Sequence, residues 1–310
     1  MFRWIKHLAA VGVLALVAAC GGGSDGPAAT GTIAQQAQAD ARLSTLVDAL
    51  TAADLVPVLS STSSFTVFAP TNDAFAKLLT ELGVTKEQLL ADKTLLSSVL
   101  TYHVLPNKVA KSEIPAGKAI TTVQGGILKI DATGSALVIT DGRNRKSQIT
   151  QADVPASNGV IHVIDTVLLP ANKNIVQTAQ AAPDFSILVE AVVAADLVNA
   201  LSAPGPLTVF APTNAAFADL LAELGITKEQ LFANRALLTQ VLTYHVVNGR
   251  LLKADVPVGP VTTVQGQTFT VDNSLAITDQ LSRRAAIVAT DVLASNGVIH
   301  VVDKVILPRP

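Results

Sequence analysis

The sequence predicts an α+β protein assembled from two copies of one module, and three observations carry that prediction. The stretch Thr66-Val-Phe-Ala-Pro-Thr-Asn-Asp-Ala-Phe75 returns almost letter for letter as Thr208-Val-Phe-Ala-Pro-Thr-Asn-Ala-Ala-Phe217, at a spacing of 142 residues. Within each copy, apolar residues at helical spacing are followed by short β-branched runs broken by Pro, Gly, Asn and Asp. The length of 310 residues matches two domains of roughly 150 residues each.

The apolar content of 49% with only 4% aromatic residues points to cores of Leu, Val, Ile and Ala and excludes a disordered chain. The net charge is −2. Without residues 1–19, which hold Arg3 and Lys6, 20 basic residues stand against 24 acidic ones, a balance of −4. No nucleic-acid partner is expected from such a chain.

Arg3, Lys6 and His7 make a basic start, and residues 8–19 form an apolar run. Such a run is too short to span a bilayer, which takes about 20 residues, so residues 1–19 read as a secretion signal. Val17-Ala18-Ala19-Cys20 resembles the lipobox of bacterial lipoproteins. That resemblance implies that Cys20, the only cysteine, becomes the acylated N-terminal residue and the contact with the lipid bilayer. Gly21, where inner-membrane lipoproteins carry Asp, favours the outer membrane, on its periplasmic or surface face. Residues 20–31 read as the lipidated Cys followed by a Gly-rich tether with a reach of roughly 20 Å.

The first module is assigned to residues 32–170 and the second to 171–310. Residues 43–56 align with 185–198, and Leu43, Leu46, Val47 and Leu50 fall on one face of a helix. The strand at 66–68 then meets Pro70 and the helix-capping pair Thr71-Asn72. That helix is expected to stop at Gly83, and its copy at Gly225. Thr85 with Gln88, and Thr227 with Gln230, form capping-box signatures that start a third helix. It is expected to run through Leu96, Val99, Leu100 and His103, with His245 on the matching stripe of the copy. Antiparallel strands are expected at 121–124, 127–130, 136–140, 147–150 and 160–169. Asn158-Gly159 and Asn296-Gly297 introduce the last strand as turns. Only residues 170–173 join the modules, so their orientation is expected to be restricted.

The repeated Thr-Val-Phe-Ala-Pro-Thr-Asn motif, the pairs Tyr102-His103 and Tyr244-His245, and the closing Asn-Gly-Val-Ile-His-Val-(Ile/Val)-Asp runs at 158–165 and 296–303 together resemble the fasciclin-type domain. The resemblance covers nearly all of residues 32–308. It implies two tandem α+β modules, each a wedge-like antiparallel β core with several helices. It also implies an adhesion or matrix-interaction protein, with extracellular matrix, glycan or cell-surface protein as partner.

Candidate partner-binding residues fall in two groups. Tyr102, His103, Tyr244 and His245 match the family's Tyr-His motif, which the resemblance links to receptor binding. Helical spacing also gives each His a bland role as a packed, hydrogen-bonded core residue. Arg143, Arg145 and Lys146, with Arg283 and Arg284 in the copy, form basic hairpin tips suited to an anionic partner, or simply solvated tips. His162 and His300 lie mid-strand, opposite Ile161 and Val163 in the first copy, and could approach His103 and His245. No third ligand accompanies either pair, so no metal or cofactor is expected. No nucleophile elbow, Walker loop or zinc-protease motif occurs, and catalysis is not expected. The alternative to adhesion is an envelope carrier of a small ligand near the Tyr-His helix ends, with metal or haem the less favoured cargo. The Thr66–Phe75 stretch itself holds nothing reactive and reads as architecture.

Overall fold

A computed structural model describes residues 31–134 and 136–310 of the protein. The signal, Cys20 and nearly all of the tether lie outside these residues. The first domain runs α1 (Ile33–Ala39), α2 (Ser44–Ala52), α3 (Val56–Leu59), β1 (Phe65–Pro70), α4 (Asn72–Leu82), α5 (Lys86–Ala91), α6 (Lys93–Tyr102) and β2 (Val104–Leu105). It continues with β3 (Ala119–Thr121), β4 (Ile127–Thr133), β5 (Ala136–Thr140), β6 (Lys146–Ala156) and β7 (Gly159–Ile164). The second domain repeats this order with α7 (Ile175–Gln180), α8 (Ser186–Ala194), α9 (Val198–Ser202), β8 (Leu207–Pro212), α10 (Asn214–Leu224), α11 (Lys228–Ala233), α12 (Arg235–Tyr244) and β9 (Val246–Asn248). Its sheet is completed by β10 (Gly259–Thr262), β11 (Thr268–Val271), β12 (Ala276–Thr278), β13 (Arg284–Ala294) and β14 (Gly297–Val302).

Each domain holds one seven-stranded sheet, in the order β2-β1-β7-β6-β5-β4-β3 in the first and the equivalent order in the second. The sheet nearly closes on itself, because Val123 beyond β3 donates to the Val104 carbonyl of β2 at 2.8 Å, as Val264 does to Val246 at 2.7 Å. The core is antiparallel, as expected, except at one pairing. β1 lies between β2 and β7 and pairs with β7 in parallel, Phe68 opposite His162. Residues of β1 and β7 are buried on both faces, which is what a central parallel pair requires.

The helices differ from expectation in one place. The capping box at Thr85 starts only the short α5, and α6 starts afresh at Asp92. Asp92 leaves the helical region at φ −87, ψ 81 and caps α6 by accepting from Leu95 N at 3.0 Å; Asn234 does the same for Leu237. The stops at Gly83 and Gly225 are as expected, with φ of 65° and 63°, where only Gly avoids a Cβ penalty. The β6 strand extends to Ala156, well past the expected 147–150, through a bulge at Asp153 with φ 57°. Helices α1 and α7 carry no periodic helical signal in the sequence; at 7 and 6 residues they are too short to show a clear period.

Alternation along β1 and β7 divides each domain into two cores. Val67, Ala69, Ile161 and Val163 face the helices with Leu46, Leu50, Phe75 and Leu96. Phe68, Tyr102, Leu128, Ile130, Ile139 and Ile164 fill the wrapped sheet. The second domain divides the same way, around Phe217 on one side and Phe210 and Phe269 on the other.

Candidate functional site

The Tyr-His pair ends α6, and the helix stripe carries both rings inward. Tyr102 and Tyr244 are fully buried, and their hydroxyls donate to the carbonyls of Ile127 and Thr268. Burial raises both phenol pKa values above the usual range. His103 donates from Nδ1 to the Val99 carbonyl at 2.7 Å and accepts at Nε2 from Leu168 N at 2.9 Å. His245 repeats this between Val241 and Ile306 at 2.7 and 3.0 Å. With both ring nitrogens committed in a dry setting, burial pushes each imidazole down to about pKa 4. The expectation that these four residues form a partner-binding surface is therefore corrected, because their side chains are enclosed and serve to join α6 and α12 to the segments that follow β7 and β14.

The mid-strand histidines lie on the face opposite Ile161 and Val163, as the alternation predicts, but they do not make a joint centre with the Tyr-His pair. His162 stacks on Phe68 with centroids 5.7 Å apart, accepts at Nδ1 from Asp153 N and donates from Nε2 to the Val109 carbonyl at 3.0 Å. His300 is held likewise by Asp291 N and the Leu251 carbonyl. These rings carry the opposite tautomer to His103 and His245. Burial lowers their pKa values as well. Among the described residues, no three His, Cys, Asp or Glu side chains are grouped to hold a metal.

The basic tips are largely neutralised within the domains. Arg145 is bound by Asp141 at 2.9 Å and Glu81 at 2.7 Å, and donates to the Val167 carbonyl. Lys146 donates to Thr140 Oγ1 at 2.6 Å. Arg283 pairs with Glu223 at 2.9 Å and stands 3.8 Å from Asp279, while Arg284 pairs with Asp272. Arg143 and Lys146 make no ion pair with the described residues; Arg143 Nε donates to the Pro170 carbonyl at 3.4 Å. The expected basic cluster thus splits into internal clasps, and the first loop faces the second domain rather than open solvent.

Sequence reasoning missed the contacts that matter most at this loop. Asn144 accepts from Leu293 N at 2.6 Å and donates to the Leu293 carbonyl at 3.0 Å, so one side-chain amide reads the backbone of the other domain twice. Beside it, Lys129 of β4 pairs with Asp291 of β13 at 2.8 Å and with Asp131 at 3.1 Å. Burial pulls the Lys129 ammonium toward its neutral form, but the two carboxylates outweigh this and its pKa stands above the usual value. Ile127, Leu252, Leu293 and Val298 close a small apolar cluster across the same seam. The one signal available was a charge inside the apolar run Ile127-Leu-Lys-Ile130. In the second copy Thr268 and Thr270 take the places of Ile127 and Lys129, at matching register on β11.

Asn158 lies in the turn between β6 and β7, as expected, and is also a buried junction. Its side chain accepts from Ile33 N at 2.8 Å and donates to the Leu59 and Ser61 carbonyls, each at 2.8 Å. Asn296 repeats this with Ile175, Leu201 and Ala203. The following glycines are fixed by sterics, since a Cβ at Gly159 or Gly297 would lie 2.0 Å from the carbonyl oxygen of Phe65 or Leu207.

The sequence of both domains is matched by a known family. The sequence profile of the Fasciclin domain matches residues 41–170 and 183–308. The chain belongs to the fasciclin domain family. It is 30% identical over 257 residues to the transforming growth factor-beta-induced protein ig-h3 of Sus scrofa, covering 82% of this chain and 36% of that protein. It is 28% identical over 270 residues to human periostin, covering 85% of this chain and 30% of that protein. It thus spans about a third of the length of these animal relatives. Protein sll1483 of Synechocystis is 45% identical over 150 residues, 47% of this chain and 79% of that protein. Among solved structures, a domain pair from the insect cell adhesion molecule fasciclin I covers 86% of this chain and 97% of its own, at 20% identity and a TM-score of 0.44.

Proposed function

We propose that the protein is a non-catalytic adhesion or interaction protein that displays two fasciclin domains as one unit to an extracellular matrix, glycan or cell-surface protein partner. The observation that supports this reading is the use made of the family motifs. The Tyr-His pairs, the strand histidines and Asn158 and Asn296 are all consumed in joining elements inside each domain, which leaves binding to the outer faces and loops. An envelope location, with the acylated Cys20 in the outer membrane and residues 21–31 as a spacer, belongs to the same proposal. Among the described residues, no helix is long and apolar enough to cross a membrane. The test is retention of the full chain on immobilised matrix proteins, glycans and intact cells. Saturable retention that a soluble excess competes away is expected, and failure to bind any of the three surfaces overturns the reading.

A carrier role has one observation in its favour, at a different place from the Tyr-His ends. The cavity at His245 is about 30 Å³, room for about one water. An apolar cavity of about 250 Å³ instead lies beside His162, lined by Phe68, Val109, Ile114, Ile120 and Ile130. Native mass spectrometry of the purified chain distinguishes the readings, since a carrier arrives with a bound mass and an adhesion module does not.

A further inference from the structure

The seam between the domains leaves two adjoining cavities of about 320 and 360 Å³, which share Gly142 and Leu293 as walls. Across the first, Gln124 and Gly126 of one domain face Arg250 and Ser295 of the other. The second is flanked by Arg143 and Lys173. Ser295 N donates to the Lys173 carbonyl at 2.9 Å, which ties the two cavities into one region. No carboxylate lines either cavity.

Three cations therefore surround one seam without a counterion among the described residues. Arg250 makes no ion pair or hydrogen bond with any of them, and its Nε is shut off from water with no acceptor. Burial holds its pKa below the usual arginine value, the direction expected of a cation lacking a partner. Arg143 has only the Pro170 carbonyl, and the Lys173 ammonium has no partner. The carboxylate nearest in sequence, Asp141, is already filled by the backbone N–H groups of Arg143, Arg145 and Leu169 and by Arg145 Nε.

We propose that the interdomain seam is a binding site for a small molecule bearing a phosphate or sulfate group, with Arg250 as its anchor and Lys173 and Arg143 as flanking charges. A guanidinium presents several donors in a fixed fork that suits an oxyanion, and an oxyanion supplies the acceptors that Arg250 lacks. Three cations favour a dianion over a single carboxylate. A volume of about 320 Å³ holds roughly ten waters at about 30 Å³ each, which stands at the small end of ligand sites and suits one sugar-sized molecule. Glycines keep these walls close to backbone. A Cβ at Gly142 would lie 2.2 Å from Ala171 N, and one at Gly126 would lie 3.0 Å from the Tyr102 ring. Because both domains contribute walls, an occupant would also brace the seam. This inference is independent of the adhesion reading.

The experiment is calorimetric titration of the full chain with inorganic phosphate, inorganic sulfate, a hexose 6-phosphate and, as the monocarboxylate, glucuronate. Saturable one-to-one binding of the phosphate and sulfate species is expected, with glucuronate weaker. Arg250→Gln is expected to weaken binding at least about tenfold, and Arg250→Lys less. Lys173 is exposed, so Lys173→Gln is expected to leave folding intact and to weaken binding severalfold; it decides the matter if Arg250→Gln does not fold. Tighter binding of the hexose phosphate than of free phosphate assigns the site to an ester rather than a free anion. The proposal is overturned if none of the anions saturates by about 10 mM. It is equally overturned if Lys173→Gln and a folded Arg250→Gln both keep wild-type affinity.

Discussion

Lys129 and Asp291, 162 residues apart in the chain, meet at 2.8 Å across the seam between the two fasciclin domains, with their side chains only 11% and 3% exposed. A buried pair of this kind is a weak source of net stability but a strong constraint, because removing one member strands the other charge away from water. Lys129→Ala is therefore expected to destabilise the domain pair by about 3–5 kcal/mol. Adding Asp291→Asn to it should recover part of that loss, since the uncompensated carboxylate is gone. Urea denaturation of the single and double variants measures both effects.

The buried histidines make stability depend on pH in a defined direction. His103 and His245 titrate near 4 in the folded protein and near 6.5 unfolded, so the unfolded chain takes up protons first as pH falls. Their neutral rings contribute fully above about pH 6.5. That contribution is lost progressively between about 6.5 and 4, by roughly 3 kcal/mol for each ring over the whole interval. His162 and His300, also depressed, act in the same sense. Urea midpoints measured from pH 7 to pH 4 should fall steeply, and His103→Gln, less stable at pH 7, should show a shallower slope.

Asn158→Ala leaves one backbone N–H and two carbonyls without their side-chain partner at the point where α1 and the end of α3 meet β7. An expected loss of about 2–4 kcal/mol follows from stranding buried polar groups. Asn296→Ala should match it in the second domain. Equal losses in chemical denaturation would establish that the Asn-Gly signature is a buried junction as well as a turn.

Much of this was legible in the sequence because it is local. The caps at Thr71, Thr85 and Thr213, the Gly83 and Gly225 stops and the two-faced β7 strand all follow from short-range pattern. What was not legible is long-range. The parallel pairing of β1 with β7 joins segments separated by most of the domain, and alternation cannot report strand direction. The basic loop looked like a solvated tip because Arg145 finds Glu81 and the Val167 carbonyl far away in sequence. Arg250 carried no sequence signal at all; its place at the seam exists only once both domains are folded and joined.

The reading of Cys20 as an acylated anchor has its own test. Cys20→Ser is expected to move the protein from the detergent-soluble membrane fraction to the soluble fraction, or to leave an uncleaved precursor. A processed variant that still partitions wholly with membranes would contradict the anchor.

The central claim is that the two domains present themselves as a single body, held by Lys129 with Asp291 and by Asn144 with the Leu293 backbone. Spin labels placed at the exposed positions of Lys93 and Arg235, one in each domain of a Cys20→Ser chain, measure that body directly by their separation. One narrow distance distribution is predicted, broadening when Lys129→Ala and Asn144→Ala are combined. A broad distribution in the chain with the seam intact would contradict the account.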